Sequence, residues 1–267
     1  MKLKLTAAVL CLAAAVPLTG HAECAISTVN HTETTGYNWY CRNNNEGKPP
    51  CLPPEFSFIN DNGGYYLDTR AADSDKVIYL TFDAGYENGN IAKILDVLNK
   101  HQAKGAFFVL GNLIKRDTGL VKRMLDEGHL VCNHTNQHRD MTKVTDPAKF
   151  REELESLSAI MKEYCGCDVA PFYRPPEGRF SEANLKTASE MGYKTVFWSF
   201  AYADWDNRNQ MSPEKAMKKV LSHTHNGEVI LLHPTSATNA EILDPLLTEW
   251  EKQGYRFGTL YELTADS

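Results

Sequence analysis

Five short stretches place reactive side chains where the strands of an α/β fold would end. The first closes the apolar run Val77-Ile78-Tyr79-Leu80 with Thr81-Phe82-Asp83-Ala84-Gly85, a carboxylate at the mouth of a buried strand and then a glycine that lets the chain turn. Chemistry collects at the carboxyl ends of strands in α/β folds, although a strand-end aspartate taken alone is as readily a turn-former. The second is Asn133-His134-Thr135-Asn136-Gln137-His138, after Leu130-Val131-Cys132. Two imidazoles four residues apart, about one helical turn, can point at a single divalent ion, while an isolated pair is as readily two exposed loop histidines. The third, Arg174-Pro175-Pro176-Glu177-Gly178, stiffens the chain after an arginine, so the guanidinium and the following N–H groups keep a fixed relation. The fourth sets aromatic residues from Trp198 to Trp205 around Asp204, which suits a sugar-stacking wall or the edge of a core. The fifth, Leu231-Leu232-His233-Pro234, ends an apolar strand on a histidine, the position of a general acid or of a satisfied core residue.

The elements that must position these groups follow from the hydrophobic pattern. Strands are expected at 77–82, 105–110, 129–132, 171–174, 194–199, 228–232 and 255–258. Helices are expected between them, near 90–101, 117–127, 147–164, 181–191, 213–223 and 239–252. The helix at 147 has a distinct start, Thr145-Asp146-Pro147, with proline in its first turn. Repeated strand–helix units imply a parallel sheet, and seven of them in one domain favour a distorted, incomplete (β/α) barrel over an open sheet.

Residues 1–22 read as an export signal: Lys2 and Lys4 precede the apolar run Leu5–Val16, and Gly20-His21-Ala22 offers small residues for cleavage after Ala22. No apolar stretch is long enough for a membrane span. Removing the signal leaves 26 basic against 34 acidic residues, and an acidic chain argues against nucleic acid or anionic membrane as partner. The remaining 245 residues divide into an irregular Asn-, Gly- and Pro-rich extension at 23–75 and one catalytic domain at 76–267. The extension is expected to wrap the domain through Trp39, Phe56, Tyr65 and Tyr66. Six cysteines survive processing (Cys24, Cys41, Cys51, Cys132, Cys165 and Cys167), an even number that suggests disulfides, with Cys41–Cys51 the natural local loop. His223-Thr224-His225, before Asn226-Gly227, reads as a solvated turn.

In order and context the five clusters resemble the motifs of the polysaccharide deacetylases, the NodB-like carbohydrate esterases of family four. The similarity runs over residues 76–263 and carries Thr81-Phe82-Asp83-Ala84-Gly85, His134–His138, Arg174–Gly178, Asp204-Trp205 and Leu231–His233. Tyr79–Gly89 and Arg174–Glu182 look most like the delta-lactam-biosynthetic de-N-acetylases, which act on muramic acid in peptidoglycan, notably of spore cortex. The resemblance implies a divalent metal ion, with zinc the expected one, held by His134 and His138, the rest of its shell being either water, which makes a weak site, or Asp83 sharing both roles. It implies Asp83 as general base, His233 as general acid oriented by Asp204, Arg174 holding Asp83 ionised, and a Glu177 N–H at the oxyanion. It implies substrate contacts from Glu177, Trp205, Tyr86 and Leu231, with peptidoglycan strands as partner and an extracytoplasmic, monomeric protein. Two positions depart from the family: Ala84 replaces the second aspartate that usually ligates the metal, as in the delta-lactam branch, and Ala201 stands where relatives often carry another acid.

Three functions are open on this reading. The leading one is deacetylation of muramic acid, after which the freed amine can close onto the lactyl carboxylate as a lactam; Glu177 and Arg179 are placed to read the lactyl group. The second is deacetylation of N-acetylglucosamine in peptidoglycan or a chitin-like glycan. The third is a glycan-binding pseudoenzyme, against which the joint presence of Asp83, Arg174, Asp204 and His233 speaks.

Overall fold

The computed structural model describes residues 32–42, 47–71 and 74–265. Its strands are β1 (Tyr37–Asn38), β2 (Gly64–Tyr65), β3 (Val77–Ala84), β4 (Gly105–Val109), β5 (Leu130–Asn133), β6 (Ala170–Tyr173), β7 (Arg179–Phe180), β8 (Lys194–Val196), β9 (Phe200–Ala201), β10 (Glu228–Leu232) and β11 (Arg256–Phe257). The helices are α1 (Phe58–Asp61), α2 (Ile91–Lys100), α3 (Gly111–Arg116), α4 (Thr118–Asp126), α5 (Pro147–Cys165), α6 (Glu182–Glu190), α7 (Pro213–His223), α8 (Ala237–Lys252) and α9 (Leu260–Leu263). The main sheet runs β2-β8-β6-β5-β4-β3-β10-β9, with β11 beside the start of β3 and all pairings parallel. The path begins and ends on different strands, so the expected incomplete barrel is what forms.

Strand alternation sorts the side chains. In β3, Ile78, Leu80, Phe82 and Ala84 face the helices, packed with Phe107, Val109, Val131, Ile230 and Leu232 and with the Ile91, Ile94, Leu95 and Leu98 stripe of α2. Val77 and Tyr79 face the opposite way and fill the sheet interior with Ala106, Phe108, Cys132, Phe172, Val196 and Val229. Both sides being covered explains why these strands read as nearly continuous apolar runs. It also fixes the direction of the polar residues: Thr81 and Asp83 share the side of Tyr79 and point into the mouth of the sheet. Helix α5 starts as expected, with Asp146 accepting a hydrogen bond from the Ala148 N–H (2.9 Å) and Pro147 in the first turn, and ends at Gly166 with φ 79°.

Several expectations are corrected. The strand expected at 194–199 stops at Val196, and Phe200–Ala201 forms a separate short strand against β10. Helices α3 and α9 lie where no helix was expected. Gly85 is not in the left-handed region; a side chain there would meet Leu110 Cδ1 at 3.0 Å, so the glycine provides room. The extension is bonded into the barrel: Trp39 stacks on Phe197 (centroids 4.5 Å apart) and donates through Nε1 to Trp198 O (2.9 Å), while β2 adds an edge to β8. The five described cysteines are free thiols, so the expected Cys41–Cys51 bridge is not formed. The Cys41 thiol turns inward to Trp198 O (3.1 Å), where burial pushes its pKa up to about 12, and Cys51 is exposed. Cys24 and the expected export signal lie outside the described residues.

His225 is likewise no solvated turn. It is buried, its Nδ1–H donates to His223 O (2.8 Å), and its Nε2 accepts from the Ser199 hydroxyl (2.8 Å). Its backbone N–H donates to Oε2 of Glu228 (3.0 Å), whose carboxyl is fully buried at the first residue of β10 and is pushed up by that burial to about 8. Folded, Glu228 therefore keeps a proton that the unfolded chain, with an ordinary value of 4.5, releases. Its effect on stability is nil below the unfolded value and increasingly unfavourable as pH rises toward 8. Urea unfolding of Glu228→Gln should show the variant gaining on the natural chain between pH 5 and pH 8.5; a difference that stays constant with pH would contradict this reading.

Candidate active site

Asp83, His134, His138, Glu177, Tyr86, Trp205, Leu231 and His233, scattered over 150 residues of chain, line one cavity of about 820 Å³ at the carboxyl ends of the strands. Arg174 and Asp204 lie beneath this lining and are buried. All the residues singled out from the sequence are therefore brought together, in two layers.

Arg174 follows β6 directly and its guanidinium carbon sits over the Phe108 ring, 4.2 Å from the centroid. Nε donates to Val196 O (2.8 Å), one Nη to Thr81 Oγ1 (2.9 Å) and Phe197 O (3.0 Å), and the other to Asp83 Oδ1 (2.9 Å). Burial alone would push the Asp83 carboxyl up, but Arg174, with His134 and His233 near, holds it below the usual carboxylate range. The Asp83 carboxylate is thus ionised, with one oxygen tied down and the other, Oδ2, left toward His134.

The backbone after β5 does not continue as a helical turn. Thr135 (φ 70°) and His138 (φ 55°) both take left-handed conformations, stabilised by Asn133 Oδ1 accepting from the Thr135 N–H (2.9 Å) and Thr135 Oγ1 accepting from the His138 N–H (3.0 Å). This loop sets the two imidazoles edge to face, 5.2 Å between centroids. His134 Nδ1–H donates to Arg174 O (2.9 Å), so the Nε2 lone pair is directed outward, and it faces Asp83 Oδ2 at 3.6 Å. Burial pushes the His134 pKa down to about 4, so the ring is neutral at physiological pH. A lone pair and a carboxylate oxygen facing each other are complementary to a cation placed between them, and neutral imidazole with carboxylate is a donor set for a divalent ion. Among the described residues no three His, Cys, Asp or Glu side chains are gathered round one point, and Ala84 is buried on the helix side of β3 and offers no donor.

Across the cavity, Asp204 Oδ1 accepts from His233 Nδ1–H (2.7 Å) and Oδ2 from the His233 backbone N–H (2.8 Å). Burial lowers the pKa of His233, but the Asp204 carboxylate outweighs it and the net direction is up. The wall between the pairs comes from Glu177 (φ 56°) and Gly178 (φ 64°), two successive left-handed residues after Pro175-Pro176. A Cβ at Gly178 would fall 2.8 Å from Trp198 and 3.0 Å from Trp39, so only glycine lets this turn close on the extension. Arg179 is held by Asp140 (2.8 Å) and Glu177 (3.1 Å) beside the cavity. At the rim, Trp205 is 64% and Tyr86 47% exposed, large aromatic faces left open to a ligand, and the Tyr86 hydroxyl accepts from Asn207 Nδ2 (2.7 Å).

Some participants had no sequence signal. Asn239, from an ordinary helix, reaches the Asp204–His233 pair; Thr81 and Tyr202 stood inside recognised stretches, but their bonds to Arg174 and to Asn239 were not foreseen. Gln210 donates from Nε2 to Asp204 O and Asp206 O (2.8 Å each) and accepts from the Ser236 hydroxyl, clamping the aspartate loop to the start of α8.

A polysaccharide deacetylase family model matches residues 70–196. The chain is 39% identical over 251 residues to the peptidoglycan-N-acetylmuramic acid deacetylase PdaA of Bacillus subtilis, covering 94% of this chain and 92% of that protein. The solved structure of that protein, a family 4 carbohydrate esterase, superposes with a TM-score of 0.81 over 86% of this chain and 97% of the other. A family 4 carbohydrate esterase from Bacillus anthracis, 38% identical, superposes with a TM-score of 0.70 over 88% of this chain and 98% of that one. The peptidoglycan-N-acetylglucosamine deacetylase PgdA of Listeria monocytogenes is 35% identical over 72% of this chain and 40% of its own length.

The Arg174 arrangement has a measurable consequence. Arg174→Met leaves Asp83 buried without its cation, which should cost about 3–5 kcal/mol of unfolding free energy. Adding Asp83→Asn to that variant should recover part of the loss, because the uncompensated charge is gone. Urea denaturation of the two single variants and the double variant checks both statements.

Proposed function

Because the chain belongs to the polysaccharide deacetylases, the family 4 carbohydrate esterases, we propose that it hydrolyses the N-acetyl groups of muramic acid residues in peptidoglycan. The observation that carries the reading is the pairing across one cavity of an ionised Asp83, held by Arg174, with a His233 whose pKa is raised by Asp204. One group takes a proton and the other gives one, which is the requirement for cleaving an amide between them. The near full-length similarity to a protein named for muramic acid supports that substrate.

In this reading Asp83 Oδ2 removes a proton from the attacking water, and the developing oxyanion is met by the Glu177 N–H. His233 Nε2 then protonates the departing nitrogen, so that acetate leaves and the sugar keeps a free amine. Arg174 keeps Asp83 ionised and aimed; Asp204 keeps His233 charged and turned toward the cavity. A divalent ion held by His134, His138 and Asp83 would supply positive charge to polarise the acetyl carbonyl. With two imidazoles and a carboxylate already committed to Arg174, the site binds that ion weakly, and zinc suits its donors. Tyr86 and Trp205 offer stacking faces for the sugar, Leu231 an apolar floor, and Arg179 a cation near the lactyl group. The substrate puts the working protein outside the cytoplasm; among the described residues no helix is long and apolar enough to cross a membrane.

N-acetylglucosamine is the second reading, favoured by the Glu177 carboxylate on the cavity wall, which a neutral sugar would tolerate better than an anionic lactyl group. Purified protein with added zinc is to be offered two glycans, one with peptide-free muramic acid and one with N-acetylglucosamine only, and products read by mass spectrometry. Acetyl loss confined to the muramic glycan, absent from Asp83→Asn and sharply reduced by a chelator, is the expected result; loss from the glucosamine glycan alone would transfer the assignment. In the same assay Arg179→Ala should narrow the preference for muramic acid.

The pH dependence has a stated sign. His233 acts as its cation, and its pKa lies above the ordinary 6.5, so kcat/KM should decline only as pH rises past that raised value. Asp204→Asn removes the anion that raises it, and the alkaline limb should then move to lower pH, which a rate profile from pH 5 to 10 would reveal.

A further inference from the structure

We propose that Asn239 is a positioning residue for the proton donor, locking the Asp204 carboxylate and the His233 backbone into one rigid unit. The proposal rests on the role of His233 in the reaction just described. Asn239 is 1% exposed in the first turn of α8. One Nδ2 hydrogen goes to Asp204 Oδ2 (2.6 Å) and the other to His233 O (3.0 Å), while Oδ1 accepts from the Tyr202 hydroxyl. The amide orientation is unambiguous, since the flipped form would turn its oxygen toward a carboxylate and a carbonyl.

Three donors thus hold the Asp204 carboxylate: His233 Nδ1–H on Oδ1, and the His233 N–H with Asn239 on Oδ2. The two from His233 belong to the very residue the carboxylate must orient. Gln210 and the Ser236 N–H also link the two loops to the start of α8, but only through backbone carbonyls; Asn239 reaches the Asp204 carboxylate itself as well as the His233 carbonyl. Helix capping does not explain the amide, because the cap is Ser236, whose Oγ accepts from the backbone N–H of residue 239 (3.1 Å), a bond that any residue type would make. The other charged groups around His233 are Asp83 from β3 and Arg174 from the end of β6, and neither contacts Asn239.

Asn239→Asp separates the positioning role from a structural one. The shape and the Tyr202 acceptor are retained, while a second carboxyl is buried against Asp204, so the variant is also expected to lose some stability. The donor facing Asp204, however, becomes a second carboxyl oxygen. The expected result is a fall in kcat of tenfold or more with KM changed less than twofold, measured well below the variant's own thermal midpoint so that only folded protein is compared. The downfield Nδ1 proton resonance of His233, identified by its loss in His233→Gln, should shift or broaden away. Asn239→Ala, which removes the donor without adding charge, should show the same changes to a smaller degree. The resonance is read without substrate. A moved resonance in a protein inactive on both glycans leaves the positioning role standing while the reaction assignment falls. An active natural chain whose Asn239→Asp and Asn239→Ala variants keep both the resonance and kcat would overturn the role.

Discussion

A guanidinium with no access to water holds the mouth of this barrel together. Arg174 is surrounded by three strand ends, β3 through Thr81 and Asp83, β6 through its own backbone, and β8 through Val196 and Phe197. Burying a cation is expensive unless every donor finds an oxygen, and here the oxygens are carbonyls left over where β8 stops pairing, a hydroxyl and one carboxylate. The early end of β8 is therefore matched to the arginine: a strand continuing to residue 199 would spend the carbonyl of Phe197 on a neighbour instead. The same residue reaches the opposite side through its backbone carbonyl, which fixes the tautomer of His134. One side chain and its carbonyl thereby set the ionisation of Asp83 and the direction of the His134 Nε2 lone pair.

The second half of the site is built differently. Asp204 and His233 meet at loops after β9 and β10, regions with little sheet pairing, and order comes from side chains alone. Gln210, Ser236, Tyr202 and Asn239 form a polar lattice under the histidine in which nearly every hydrogen has a stated acceptor. The Arg174–Asp83 half rests on the sheet. The Asp204–His233 half rests on side-chain hydrogen bonds.

Much of this was legible in the sequence. The strand ends carrying Asp83, His134, Arg174 and His233 follow from apolar runs that stop at polar residues, and the start of α5 follows from Asp146-Pro147. The reason for the His134–His138 pairing was not legible: the spacing suggested a helical turn, whereas two left-handed residues and an Asn133 side chain do the work, a local competition between side chain and backbone that periodicity does not register. The bond between Tyr202 and Asn239 was not legible because it depends on a contact between the loop after β9 and α8, not on any local pattern. The even cysteine count suggested bridges, but Cys41 turns toward Trp198 and away from its sequence neighbour. His225 looked like part of a solvated turn because its neighbours are polar; burial arises from Ser199, 26 residues away.

The contact of Trp39 with Trp198 spans 159 residues. At ribosomal rates of about 5–20 residues per second, the partner of Trp39 is synthesised roughly 8–30 s after Trp39 itself. During that interval Trp39, Phe56 and Tyr66 have only one another and near neighbours such as Phe58 and Ile59 for cover, since Phe180, Leu185 and Phe197 do not yet exist. The first part of the described chain to be made is thus among the last to dock, and the wall around Gly178 is completed only when it does. Closure of the cleft wall therefore needs the amino-terminal segment and residues 178–198 together, in whichever compartment the chain folds.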